Sequence, residues 1–211
     1  MLESSKFIGI EKAIPIRICD YILEDVKKER KQLGLIGSKT PQEIASLPKA
    51  EKDRYYNTLN KKRNSNVCFL DHPYIFRYIL PLIKIANKNS WNIDFDSSEI
   101  CQYTEYGKEQ FYNWHQDTGV IPVNNEERKI SCSLLLNDAS EYDGGDLQFS
   151  WLDPETDKNE PQVKMDSNNA RNLRSKGTLI VFPSNLIHRV TPITRGVRKS
   201  IVIWWKGKPF K

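Results

Sequence analysis

The architecture turns on residues 100–117, Ile100-Cys101-Gln102-Tyr103-Thr104-Glu105-Tyr106-Gly107-Lys108-Glu109-Gln110-Phe111-Tyr112-Asn113-Trp114-His115-Gln116-Asp117. Two runs rich in aromatic and β-favouring residues, Ile100–Tyr106 and Phe111–Gln116, flank Gly107-Lys108-Glu109-Gln110, the grammar of strand, turn and strand. That grammar continues to the C-terminus through Lys129–Leu136, Asp146–Trp151, Thr178–Phe182, Ile187–Thr191 and Ser200–Trp205. Short strands with no helix between them argue for a double-sheet jelly roll or a barrel.

Upstream the period changes. Ile18, Tyr21, Ile22 and Val26 recur at helical spacing and predict an amphipathic helix from about Ile16 to Leu33, ending near Gly34. Thr40-Pro41-Gln42-Glu43 places a capping threonine, a proline at the first helical position and a glutamate three residues after the cap, so a second helix runs towards Lys62 with an interruption at Pro48. Asp71-His72-Pro73 opens a third, whose stripe includes Ile75, Ile79 and Ile83 and which Pro81 should kink or restart. The predicted fold class is α+β with a mainly β core: a helical support region over 1–95 packed on one sheet of a β core over 96–211.

With 211 residues, 38% hydrophobic and 28% charged, the chain suits one domain over 1–211. No stretch approaches the roughly 18 apolar residues of a membrane helix. Met1–Lys6 has no basic segment leading into an apolar run, which makes a cytoplasmic location the expectation. Cys19, Cys68, Cys101 and Cys132 are too widely spaced for a zinc site or a disulfide scaffold and read as buried thiols. Residues 1–95 carry 17 basic and 11 acidic side chains, against 15 and 16 in residues 96–211. The excess, with Lys27, Lys28, Arg30, Lys31, Lys61, Lys62 and Arg63, reads as a solvated face, a nucleic-acid footprint being the alternative. Gly34–Thr40 lacks the spacing of a phosphate loop, and His72 reads as a structural or solvated histidine at a helix start.

His115-Gln116-Asp117 is the sharpest chemical signal. Residues two apart on a strand share one face, so this imidazole and carboxylate can reach one metal ion. His188, one of three histidines in the chain, stands on a later predicted strand and completes a two-histidine, one-carboxylate set. Such a set leaves three coordination positions open, as non-haem iron(II) oxygenases require for a chelating cosubstrate and dioxygen. Arg198 follows His188 by ten residues, across Thr191–Val197, which reads as a hairpin turn. A guanidinium there can grip a carboxylate in bidentate fashion. Arg198, Ser200, Val202 and Trp204 share one face of the last strand, and Lys199, Ile201, Ile203 and Trp205 the other. Alternation alone does not say which face points inward, but carboxylate binding by Arg198 requires the first.

Gln102–Gly107, Tyr112–Asp117, Ser131–Asn137, Tyr142-Asp143-Gly144-Gly145-Asp146-Leu147 and Gly177–Arg198 together resemble the iron(II)- and 2-oxoglutarate-dependent oxygenases, most closely the prolyl 4-hydroxylase-like, PKHD-type branch. Arg63-Asn64-Ser65-Asn66-Val67, Ala86-Asn87 and Trp91 resemble the helical preface of some members. The resemblance implies a double-stranded β-helix, or jelly roll, in which His115, Asp117 and His188 bind Fe(II) and Arg198 holds the distal carboxylate of 2-oxoglutarate. Tyr103 matches a family tyrosine that lines the cosubstrate pocket. Where several prolyl hydroxylases carry a second tyrosine this chain has Leu134, Leu135 and Leu136, leaving Ser200 and Thr178 as candidate hydroxyl partners for Arg198.

The implied activity is hydroxylation of an unactivated carbon, a prolyl residue of a protein or peptide among the candidates and a small molecule another, with O2 consumed and succinate and CO2 released; ascorbate is a candidate auxiliary. Nucleic-acid demethylases of the superfamily place a second arginine six residues after the first, where this chain has Trp204, which argues against a nucleic-acid substrate. Two other readings stand beside the hydroxylase: a catalytically silent jelly-roll binding module that retains metal, and a superfamily member acting on RNA or DNA. Tyr112, Trp114 and Trp204 read as core aromatics or cleft walls. Thr118–Lys129 and the polar stretch 153–176 are the candidates for a cover over the substrate.

Overall fold

In the computed structural model of the chain, residues 2–3, 6–37, 39–119, 124–150 and 173–209 are described. Most of the predicted cover at 153–176, part of the one at 118–129, and Trp151 of a predicted strand lie outside the described residues.

Short strands β1 (Leu2–Glu3) and β2 (Ile8–Ile10) precede helix α1 (Ile16–Val26), which buries Ile18, Cys19, Ile22 and Val26. The helix stops earlier than its pattern suggests. Lys27-Lys28-Glu29-Arg30-Lys31 offers the core no apolar side chain, so nothing offsets the entropy of further helical turns. The chain turns through Lys28 N–H to Asp25 O and Glu29 N–H to Val26 O, then enters β3 (Gln32–Leu33).

Helices α2 (Pro41–Ser46) and α3 (Lys49–Lys62) divide at Pro48, the preceding Leu47 being extended as a residue before proline must be. The predicted capping box is present: Glu43 N–H donates to Thr40 Oγ1 at 3.2 Å, and Thr40 N–H to Glu43 Oε2 at 2.6 Å. Strands β4 (Arg63–Asn64) and β5 (Asn66–Leu70) lead to α4 (Pro73–Ser90). Pro81 does not divide α4, whose Ile75, Ile79, Ile83 and Ala86 are buried on both sides of it.

From β6 (Ser97–Ser98) onward the chain is β: β7 (Cys101–Tyr106), β8 (Phe111–His115), β9 (Glu127–Leu135), β10 (Tyr142–Gly144), β11 (Leu147–Phe149), β12 (Leu179–Pro183), β13 (His188–Val190), β14 (Ile193–Gly196) and β15 (Arg198–Gly207). A nine-stranded sheet runs β1-β2-β12-β9-β15-β7-β5-β3, with β6 also on β15; a second runs β11-β13-β8-β4, and β10 pairs with β14. Every named pairing is antiparallel. The N-terminal half is therefore not helical alone: β2, β3 and β5 extend the large sheet, and β4 the small one.

The large sheet has two unlike faces. Cys132, Leu134, Ile201 and Ile203 share one apolar cluster with Ile22, Ile79 and Ile83, so the helices cover that face. Successive side chains alternate, and Arg198, Ser200, Val202 and Trp204 consequently face the second sheet. The segment 191–197 is not a tight hairpin. It carries β14, which pairs with β10, and takes the chain from β13 in the small sheet to β15 in the large one. Gly196 makes the last turn at φ +74°, where a Cβ would collide with Glu141 O.

Truncating Ile203 (0% exposed) to alanine removes contacts from the sheet–helix cluster and should cost about 2–5 kcal/mol in urea unfolding. A loss below about 1 kcal/mol would contradict the packing described.

Candidate active site

β8 and β13 are neighbours, and their register sets His115 directly opposite His188, with ring centroids 4.1 Å apart. Beyond the end of β8, Asp117 is fixed by its backbone, whose N–H donates to Ser184 O in the β12–β13 turn at 2.9 Å; Thr118 N–H reaches the same oxygen at 3.1 Å. The carboxylate thus lies between the imidazoles, Oδ1 3.6 Å from His115 Nε2 and Oδ2 3.6 Å from His188 Nε2. One ligand atom from each residue lies within 4.8 Å of the others. Donors bound at about 2.1 Å on adjacent octahedral positions stand about 3 Å apart, so the three side chains would have to draw closer together to hold one cation.

Protonation favours that use. His115 Nδ1 lies 2.8 Å from Asn113 O and His188 Nδ1 2.8 Å from Leu186 O. A carbonyl can only accept, so each Nδ1 carries a proton and each Nε2 is turned to the shared space. Burial pushes His188 down to about 4, against the opposing pull of Asp117, and keeps it neutral. For Asp117, burial acts upward but is outweighed by the attraction of His188 and His115 in their protonated forms and by the His115 hydrogen bond, so the carboxyl is held well below its usual range. A neutral imidazole at His188 and an ionised carboxylate at Asp117 are forms a metal binds. Tyr112 stacks flat on His115, with centroids 3.5 Å apart and planes within 9°, and Phe182 meets His188 edge-on at 4.7 Å.

A cavity opens from these ligands between the sheets. At its wall Arg198 is 2% exposed, opposite Tyr106 in the β15–β7 register, and its Nη1 donates to Ser200 Oγ at 3.0 Å. No carboxylate pairs with it among the described residues. A buried guanidinium short of an anion, facing the same cavity as three metal-binding side chains, fits a cosubstrate that joins a carboxylate to a chelating end.

Of the residues the sequence singles out, His115, Asp117, His188 and Arg198 share this cavity, and Ser200 is the hydroxyl beside Arg198. Thr178 instead pairs with Ser175. Tyr103 is not brought to the site. It belongs to the helix-side cluster, with its hydroxyl donating to Glu105 Oε2 at 2.9 Å. Strand parity is the cause: on β7 it is Gln102, Thr104 and Tyr106 that face the cavity. Tyr112 and Trp204 line the cavity, and Trp114 lies under the Arg189 guanidinium, 4.5 Å from ring to Cζ. Arg63, grouped by sequence with the surface bases, is 5% exposed and also lines the cavity. Its spacing from the ligand motif gives no signal, since β4 joins β8 only through tertiary pairing. Of the other bases, Lys27, Lys28 and Lys31 are tied to Glu24, Asp25 and Glu105.

The family model of the 2OG-Fe(II) oxygenase superfamily matches residues 101–206, half the chain, and takes in the triad and Arg198. The chain belongs to this superfamily. Within it, the chain is similar to a PKHD-type hydroxylase of Teredinibacter turnerae, 34% identical over 96 residues, covering 44% of this chain and 36% of that protein. One of Pseudoalteromonas atlantica is 28% identical over 130 residues, covering 57% and 51%. The chain thus spans about half or less of the length of these relatives. In structure it resembles a Pseudomonas putida prolyl-4-hydroxylase (TM-score 0.61, 16% identity, 97% of this chain and 94% of that one). It also resembles a Trichoplax adhaerens prolyl hydroxylase in complex with a hypoxia inducible factor peptide fragment (TM-score 0.64, 17%, 96% and 84%). These likenesses establish a shared fold.

Because Tyr103 faces the helices, Tyr103→Phe should change 2-oxoglutarate affinity by less than about twofold while costing about 1 kcal/mol of stability through the lost Glu105 bond. Paired isothermal titration and urea unfolding check this; a large loss of affinity with stability intact would return Tyr103 to the pocket.

Proposed function

We propose that the chain is an Fe(II)- and 2-oxoglutarate-dependent hydroxylase whose two facing sheets form a jelly roll within one domain over 1–211. The observation that carries this reading is the convergence of half-buried His115 and Asp117 with buried His188 beside a guanidinium that has no carboxylate partner among the described residues. When bound, Fe(II), 2-oxoglutarate and O2 supply the oxidising power to insert oxygen into a C–H bond, with succinate and CO2 leaving.

The chain's own residues do the rest. His115, Asp117 and His188 would hold the Fe(II), and a set of three protein ligands would leave room for the cosubstrate and O2. Their Nδ1 bonds to Asn113 O and Leu186 O fix both rings, so little reorganisation accompanies binding. Arg198 holds the distal carboxylate, with Ser200 steadying its Nη1. Leu147, Phe182, Val190 and Val202 give the cavity an apolar wall that excludes water. C–H oxidation asks for no general base, and the residues around the triad supply positioning instead.

PKHD-type relatives and prolyl hydroxylase neighbours support a prolyl residue of a peptide or protein as the first substrate class to test. The silent-module reading predicts metal binding without turnover. The nucleic-acid reading is weakened by the carboxylate pairing of Lys27, Lys28 and Lys31 and by the burial of Arg63.

Anaerobic titration of the protein with Fe(II) and 2-oxoglutarate should give the weak visible charge-transfer band of a chelated complex, and His115→Ala/Asp117→Ala should abolish it. In the same titration Arg198→Gln should weaken 2-oxoglutarate about 30-fold or more, the cost of removing one partner of a buried charge pair. Wild type without a band, or a band that survives loss of both ligands, defeats the proposal. Succinate release with ascorbate and a peptide panel separates enzyme from silent module.

A further inference from the structure

Among the described residues three cations are buried: Lys129, Arg198 and Arg63. Lys129 pairs with Glu127 at 2.8 Å, and the reading above assigns Arg198 to the cosubstrate. Arg63 has no carboxylate among the described residues. Its Nε donates to Ser65 Oγ at 2.8 Å and its Nη1 to Leu35 O at 3.0 Å, so two of five N–H groups are engaged there. Leaving a charge of this kind buried and unmatched is costly unless an anion completes it.

The group is held in a built slot. A Cβ on Gly34 would meet Ser65 Oγ as well as Arg63 Nε at 2.6 Å and Cζ at 2.7 Å, so a side chain there would push the guanidinium and its hydroxyl partner out of their present positions. On the cavity side, Cζ stands 4.7 Å from the centroid of Tyr112, whose ring stacks on His115 at 3.5 Å. One aromatic ring therefore separates this guanidinium from a metal-side imidazole. Arg198 belongs to the large sheet, Arg63 to the small one, and the Tyr106 phenol feels both charges. With the cosubstrate carboxylate on Arg198, the anion left for Arg63 belongs to the molecule being oxidised.

We infer that Arg63 is a specificity-determining residue that binds a carboxylate of the substrate, an inference that rests on the hydroxylase reading. The carboxylate has two possible sources, the α-carboxylate of a free amino acid or an acidic side chain beside the target residue in a peptide.

Calorimetric titration of the full chain, loaded with Mn(II) to prevent turnover and saturated with 2-oxoglutarate, tests it. The probes are a panel of N-acetyl amino acids, each as free acid and as primary amide, and N-acetyl peptide amides carrying Glu or Gln beside the central residue. Wild type should bind the acid about tenfold or more tightly than its neutral match in one arm, which identifies the source. Arg63→Gln should erase that preference with 2-oxoglutarate affinity kept, and Arg63→Lys, with the charge but no planar fork, should keep part of it. Equal binding of acid and neutral forms, no binding of either, or a matching loss of 2-oxoglutarate in Arg63→Gln overturns the inference. Failure of wild type to bind 2-oxoglutarate overturns the hydroxylase reading itself, and this inference with it.

Discussion

A carboxylate buried between two imidazoles sets the terms for everything around it. Asp117 is 7% exposed at its side chain, too little for an isolated carboxylate ion, and His188 beside it is 6% exposed. Removing one member of such a cluster typically leaves an uncompensated charge worth about 3–5 kcal/mol. A shared divalent cation would resolve the conflict, taking the carboxylate and the Nε2 atoms as ligands at once. The surrounding pairings deliver that meeting: β8 against β13 opposes the histidines, and the Ser184 carbonyl, anchored in the β12–β13 turn, draws Asp117 in by its backbone.

β15 links the site to the stability of the fold. One face, with Ile201, Ile203 and Trp205, belongs to the largest apolar cluster, which includes residues of α1 and α4. The other carries Arg198, Ser200, Val202 and Trp204 into the cavity. Helix packing therefore selects the register, and the register puts the guanidinium where an anion can reach it. The same logic governs Arg63, delivered by β4 to the opposite wall, so that two buried cations face a space whose remaining surface is largely aromatic and aliphatic.

Much of this was legible from local pattern. The later strand with His188 and the period-two sorting of β15 survive in the structure, because each depends on residues near one another in sequence; strict alternation in 111–117 does not, since β8 ends at His115 and a register shift against β13 turns Tyr112 as well as His115 to the cavity. Tyr103 was misplaced for an equally physical reason. Family likeness picked out a tyrosine, but parity on β7 sends position 103 towards the helices and position 106 towards the cavity. The α1 terminus, the continuity of α4 through Pro81 and the crossing of 191–197 between sheets were hidden because tertiary burial, not propensity, decides them. Arg63 stood in the sequence both at the end of a basic run and in a stretch resembling the family's helical preface, but neither shows which way it points, and only β4–β8 pairing turns it inward.

The most direct measurement is a crystal structure of the full chain soaked anaerobically with Mn(II) and 2-oxoglutarate, with the metal located by its anomalous signal. The account predicts one peak at bonding distance from His115 Nε2, the Asp117 carboxylate and His188 Nε2, with the far carboxylate of 2-oxoglutarate on Arg198. Metal found elsewhere, or an Arg198 guanidinium that makes no contact with the cosubstrate, would contradict it.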